Sequence, residues 1–303
     1  MAKALREIYS ETIEEIAKKD KDVFVLESDL SSSMSTSKLK NTLKEQYINV
    51  GIMEANMVGV AAGISLAKGF SFSHTFAQFM TRRAFDQIFI SLAYAKQNAC
   101  LVGSDAGVSA VYNGGTHMPF EDLALMMSIP NCTIYDVCDG EQLKYALYKS
   151  YEDKGLTYIR TTRKDNANLY DKNTNFEDGF IKVKEGKNAL ILACGIMVNE
   201  AIKASNELEK DGYNVTIIDI FRLKPLNEEK LLNIIEKFDN IVVCENHGIQ
   251  GGLNSIISLL LATHMPKKIK SIAVYGFGQV GSEEYLKEFY NISYKDIVKK
   301  VLE

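Results

Sequence analysis

The stretch Tyr47-Ile48-Asn49-Val50-Gly51-Ile52-Met53-Glu54-Ala55-Asn56-Met57-Val58-Gly59 decides how this chain folds. Tyr47 to Val50 read as a short buried strand and Gly51 as the turn; Gly59, Ala61, Ala62, Gly63, Ser65 and Ala67 then fill a helix with side chains small enough for another backbone to come close. At the junction of strand and helix stands Glu54, in a poorly hydrated crevice. A carboxyl group so placed can share its proton with a nitrogen base, as general acid-base chemistry requires. An acid in a first helical turn also suits the helix dipole, so the position alone leaves both readings open.

Working outward, the same alternation fills the chain. Leu5, Ile8, Tyr9, Ile13, Ile16 and Ala17 have helical spacing, and Asp20-Lys21-Asp22 turns the chain into the strand 23–26. Strands are expected at 47–50, 71–77, 99–103, 132–137 and 156–160, with helices at 54–67, 79–97, 121–128 and 140–151. Such alternation implies a parallel sheet with helices on both faces. The polar segment from Lys164 to Asn175 lacks periodicity and reads as a linker, which places a domain boundary near residue 180. A second α/β series follows, with strands at 189–193, 214–218, 241–244 and 271–275 and a helix near 197–210.

Composition narrows the classes. With 303 residues and 46% hydrophobic content the chain can bury two cores. Its 35 Lys and Arg nearly balance 39 Asp and Glu, and no basic run or aromatic-basic interleaving points to nucleic acid. No apolar stretch is long enough for a signal-peptide core or a membrane span, so no membrane partner is expected and the cytoplasm is the expected location. Cys100, Cys132, Cys138, Cys194 and Cys244 lie mostly in strand-like runs without metal-ligand spacing, and read as reduced core thiols. No metal site is expected in this chain.

Ligands of open parallel sheets gather beyond the carboxyl ends of the strands. There lie Glu27-Ser28-Asp29, Glu54, Thr75 to Phe79 and Gly103-Ser104-Asp105. Taken with Arg83-Ala84-Phe85-Asp86-Gln87-Ile88, Gly114-Gly115-Thr116-His117 and Val274-Tyr275-Gly276-Phe277-Gly278, the order and spacing resemble the C-terminal half of transketolase, a thiamine-diphosphate enzyme. The resemblance implies an α/β fold of two domains, a pyrimidine-binding parallel-sheet domain (1–180, with linker) followed by a transketolase C-terminal α/β domain (181–303). It also implies the C-terminal subunit of a split transketolase, whose N-terminal partner subunit would hold the cofactor diphosphate and Mg²⁺, the two associating as a heterotetramer. Gly59 and Gly63 suit a close helix contact in such an assembly, or within the domain.

Residue by residue, the resemblance assigns Glu54 to N1' of the aminopyrimidine, Phe76 and Phe79 to packing against that ring, and His117 to the substrate hydroxyls. Asp29 and Ser33 match a loop approaching the thiazolium ring and the substrate phosphate, and Arg6 and Arg163 match phosphate-gripping arginines. The pattern breaks at Asp105, where the family carries His, and at Asn113, where it usually carries Asp. An acid repels phosphate, so ketol transfer is expected with a sugar pair other than standard pentose phosphates. His74, His247 and His264 read as structural, and Asp139 in Cys138-Asp139-Gly140 as a helix cap, not as part of a metal signature with Asn166 or Asn168. Two other readings share parts of the pattern: the β subunit of a 2-oxo acid dehydrogenase, and a non-catalytic binding or regulatory subunit. The Gly-Gly-Thr-His-Met-Pro loop favours transketolase over the former, and retention of Glu54, Phe79 and His117 argues against the latter.

Overall fold

Residues 3–164 and 167–303 are described by a computed structural model. Asp165 and Asn166, within the expected linker, lie outside the described residues. The chain forms two compact units, one of residues up to Ala106 with Leu125–Thr174, the other of Gly107–Ala124 with Asn175–Glu303.

In the first unit, helix α1 (Leu5–Lys19) buries the apolar stripe Leu5, Ile8, Tyr9, Ile13, Ile16 and Ala17. It precedes β1 (Val23–Glu27), α2 (Leu39–Leu43), β2 (Tyr47–Asn49), α3 (Glu54–Leu66), β3 (Phe70–Phe76), α4 (Ala77–Thr81), α5 (Phe85–Gln87) and β4 (Ala99–Ser104). After α6 (Asp122–Met127) come β5 (Cys132–Asp136), α7 (Gly140–Asp153) and β6 (Leu156–Thr161). The strands lie in the order β5-β6-β4-β3-β1-β2, every pairing parallel. β1 connects outward to β2 while β3 connects the other way to β4, so the topological switch, where a crevice opens beyond the strand ends, falls between β1 and β3.

The expected helix 79–97 is not continuous. The helix gives way to a turn at residues 82–84, where Ala84 leaves helical geometry (φ −115°, ψ 13°), resumes at α5, and continues through π-helical turns from Ile88 to Tyr94. Ala84, Ile88 and Leu92 are all buried, so the four-residue apolar spacing survives the interruption and hides it from a periodicity reading.

The second unit carries β7 (Phe180–Lys184), β8 (Ala189–Ala193), α8 (Met197–Lys210), β9 (Val215–Ile220), β10 (Arg222–Lys224), α9 (Glu228–Ile235), β11 (Ile241–Gly248), α10 (Leu253–His264), β12 (Lys270–Val274), α11 (Glu283–Phe289) and α12 (Tyr294–Leu302). Its five-stranded sheet runs β12-β11-β8-β9-β7, parallel except for the antiparallel edge strand β7. β7 was not expected from sequence. Its residues are half-buried or exposed, and it lacks the apolar run that marks β8 and β9. All five cysteines are buried thiols, and burial pushes Cys100 up to about 12. Among the described residues no helix is long and apolar enough to cross a membrane, and no group of three His, Cys, Asp or Glu could hold a metal ion.

Candidate active site

Near the topological switch lies a buried polar chain. Glu27 ends β1 directly opposite His74 on β3. Glu27 Oε2 meets His74 Nδ1 at 3.0 Å, Thr36 Oγ1 donates to Glu27 Oε1 at 2.6 Å, and His74 Nε2 meets Ser104 Oγ at 3.0 Å. Glu27 and His74 are fully buried, and the chain ties the ends of β1, β3 and β4 together beneath the loops that carry the candidate residues. Removing one member of a buried pair leaves the other uncompensated. His74→Ala is therefore expected to lower unfolding free energy by about 3–5 kcal/mol, read from urea denaturation; a loss below about 1 kcal/mol would deny the pair a structural role.

Three strand ends in this unit turn through left-handed backbone: Asp29 (φ 61°) beyond β1, Gly51 (φ 77°) beyond β2 and Asp105 (φ 56°) beyond β4. Aspartate tolerates this region better than most side chains, and non-glycine residues held there gather at functional sites. Asn49 couples two of these turns, its Oδ1 accepting from Asp29 N at 3.1 Å and Gly51 N at 3.0 Å. Ser33, half-buried in the same β1 loop, is held by a backbone bond to Leu30 O.

Beyond Gly51, Glu54 opens α3 and is only 2% exposed. Arg83 Nη1 donates to both its carboxylate oxygens, at 2.8 and 2.9 Å, and the Arg83 guanidinium lies 3.9 Å from the ring centroid of Phe79. The Phe76 and Phe79 rings stand 6.2 Å apart. Glu54, Phe76 and Phe79, separated in sequence, are thus gathered by α3, the end of β3 and α4.

Arg163 ion-pairs with Asp105, accepts the backbone N–H of Arg6 through its carbonyl at 3.0 Å, and places its guanidinium 5.1 Å from the Phe76 ring. Burial pushes the Asp105 carboxyl up to about 6, against the opposing pull of Arg163 and His74. Since the folded value lies above the ordinary one, ionised Asp105 opposes folding above pH about 6, and the cost is relieved as pH falls toward 4.

Asn113 and His117 belong to the second unit. Asn113 ends a short helical segment in which β-branched Val111 adopts φ 43°, and is exposed. His117, half-buried, has Nδ1 2.9 Å from Thr116 Oγ1. The Gly114-Gly115-Thr116-His117 loop packs against the Gly276-Phe277-Gly278 loop through glycines: a Cβ on Gly115 would lie 2.6 Å from the Gly278 carbonyl oxygen, and one on Gly278 2.8 Å from Gly115 Cα. Two distant sequence motifs, one holding Gly115 and the other Gly278, thus form one surface, and the glycines permit the approach. Elsewhere, Asp139 caps α7 by accepting from Glu141 N at 2.8 Å, and its second oxygen accepts from Leu169 N at 2.7 Å. His247 is buried within β11, and His264 sits 3.7 Å from Glu228 at the surface.

The parallel sheet with its switch crevice, joined to a smaller α/β unit, defines an α/β fold of the thiamine-diphosphate enzyme type. The description "Transketolase, pyrimidine binding domain" matches residues 1–167 and "Transketolase, C-terminal domain" residues 180–297, and the chain belongs to the transketolase family. A protein of Clostridium sp. (strain MSTE9) named 6-deoxy-6-sulfo-D-fructose transketolase subunit SqwH is 37% identical over 97% of this chain and 92% of its own length. Mouse transketolase-like protein 2 is 31% identical over 98% of this chain, which spans 48% of that relative. A solved structure titled "Split gene transketolase, inactive beta4 tetramer" superimposes with a TM-score of 0.91 at 32% identity, covering 99% of this chain and 98% of the other. Family membership brings thiamine diphosphate with a divalent metal.

Proposed function

We propose that this chain is the C-terminal subunit of a two-chain transketolase, moving a two-carbon ketol unit from a ketose to an aldose. The observation that carries the reading is the buried Glu54 carboxylate beside Phe79 in a crevice that already accepts a flat, N–H-bearing cationic group. Those residues suit an aminopyrimidine, which offers a planar face to an aromatic ring and a ring nitrogen to a carboxyl group. When bound, thiamine diphosphate supplies the nucleophilic carbon and the electron sink. Glu54 holds a proton at the pyrimidine nitrogen, Phe76 and Phe79 fix the ring plane, Asp29 borders the cofactor from the β1 loop, and His117 exchanges protons with substrate hydroxyls. The domain boundary lies near residue 180. The diphosphate and Mg²⁺ belong to an N-terminal partner subunit, and the working assembly holds two copies of each chain. The names of the two-chain relatives support this division. The location is cytoplasmic.

Arg6, Ser33, Asp105, Asn113 and Arg163 recognise the sugar. Because Asp105 pairs with Arg163, the neighbourhood of Arg163 is less cationic than a phosphate grip needs, which favours substrates other than pentose phosphates. The test is a panel of ketoses and aldoses, free, phosphorylated and sulfonated, given to the assembled enzyme with thiamine diphosphate and Mg²⁺. Comparable turnover of xylulose 5-phosphate and ribose 5-phosphate at ordinary intracellular concentrations overturns the substrate reading. Reductive acylation of a lipoyl domain by a 2-oxo acid overturns the reaction itself.

A pH experiment isolates Asp105. A sulfonate stays singly charged across the accessible range, so any change in its KM reports the protein. As pH falls from 7.5 through about 6, Asp105 is neutralised and Arg163 is released to an anion. KM for a sulfonated ketose is expected to fall about tenfold, equivalent to ~1.4 kcal/mol of partly screened charge interaction, while an uncharged ketose is unaffected. Asp105→Asn should bring KM low at every pH; an unchanged profile in that variant would remove Asp105 from substrate recognition.

A further inference from the structure

Two of the three groups assigned above to the aminopyrimidine, Glu54 and Phe79, are engaged by a side chain of this protein. Arg83 Nη1 reaches each oxygen of Glu54, at 2.8 and 2.9 Å, and the same guanidinium stands 3.9 Å from the centroid of Phe79. A guanidinium is flat, stacks on aromatic rings and aims N–H groups at carboxylates. These are the features by which a protonated aminopyrimidine would be held.

We propose that Arg83 is a stand-in for the aminopyrimidine: it holds the Phe79 face and the Glu54 carboxylate until the cofactor arrives, and loading is an exchange in which its side chain swings out to solvent. The inference rests on the reading of Glu54 and Phe79 as cofactor residues and adds to it a residue that must leave.

Three observations make the exchange workable. Arg83 lies on the turn between α4 and α5, so its side chain can move without unwinding a helix. Its side chain is 46% exposed, which lets water receive the departing cation. Glu54, by contrast, is 2% exposed, and a bare carboxylate there would be costly, so the cation stays until another N–H group replaces it. The cation that meets Glu54 is Arg83, at 2.8 Å. If Arg83 holds the place in nine molecules of ten, the apparent Kd for the cofactor lies about tenfold above the intrinsic one.

The experiment measures thiamine diphosphate binding calorimetrically, with Mg²⁺, on the assembled two-subunit complex carrying wild-type chain, Arg83→Ala, Arg83→Gln or Arg83→Lys. Arg83→Ala and Arg83→Gln are expected to bind about tenfold tighter than wild type, with Arg83→Lys between, because an ammonium pairs with Glu54 but does not stack as a plane. Thermal midpoints without cofactor should fall in both neutral variants, and cofactor should raise them by more than it raises wild type. Weaker or unchanged binding in both neutral variants overturns the proposal and makes Arg83 a partner that stays with Glu54. Arg83→Gln keeps a hydrogen-bond donor and so guards against a misfolded Ala variant. Glu54→Gln, run in parallel, tests the underlying reading separately: undiminished cofactor affinity there removes Glu54 from the pyrimidine whatever Arg83 does.

Discussion

Purified by itself, this chain is expected to transfer no measurable ketol unit, and addition of a partner carrying the diphosphate and metal site is expected to bring activity from background to full rate. The first unit offers a carboxylate, two aromatic rings and small-residue turns, which serve a flat heterocycle. A diphosphate has other needs: a divalent cation, backbone N–H groups at a helix start, or a fork of guanidinium donors. Arg83 and Arg163 are already paired with carboxylates, at Glu54 and Asp105. Mouse transketolase-like protein 2 is about twice as long, this chain spanning 48% of it. The measurement is a coupled ketol-transfer assay on separate and mixed subunits. Turnover by the isolated chain, at a rate that mixing does not raise, would overturn the two-chain reading.

In the assembled enzyme, Glu54→Gln is expected to lower kcat about 10³-fold, within the range removed with a single general acid-base group. Gln is nearly isosteric and keeps a carbonyl to accept from Arg83, so packing around α3 should persist. Loss of rate with a thermal midpoint close to wild type is the expected signature; a variant within threefold of wild-type kcat would assign Glu54 to packing alone. The midpoint separates this outcome from His74→Ala, where stability should fall first.

The sequence carried the sheet well because β1, β3, β4 and β6 are dense apolar runs flanked by polar turns, and because their ends bear polar residues with no obvious packing role. It carried the break at residues 82–84 poorly, since Ala84, Ile88 and Leu92 keep helical spacing across it. That break matters, for it turns Arg83 toward Glu54 from 29 residues away. Arg83 lay inside a quoted motif yet received no role, as nothing in linear spacing says which of two adjacent arginines meets the acid. Likewise, His74 reads as an ordinary core residue until register puts it opposite Glu27. The signal available was chemical: Glu27 ends a buried strand, and a buried carboxylate demands a partner. Asn49 was missed because its two backbone acceptances exist only after the β1 and β2 turns are formed.

The chain enters its second unit at Gly107, leaves it after Ala124 and re-enters it at Asn175. No single scissor point therefore yields two self-sufficient fragments. A gene cut near codon 175 would strand residues 107–124 on the wrong piece, with Met118 and Phe120, now 2% and 7% exposed, stripped of their neighbours.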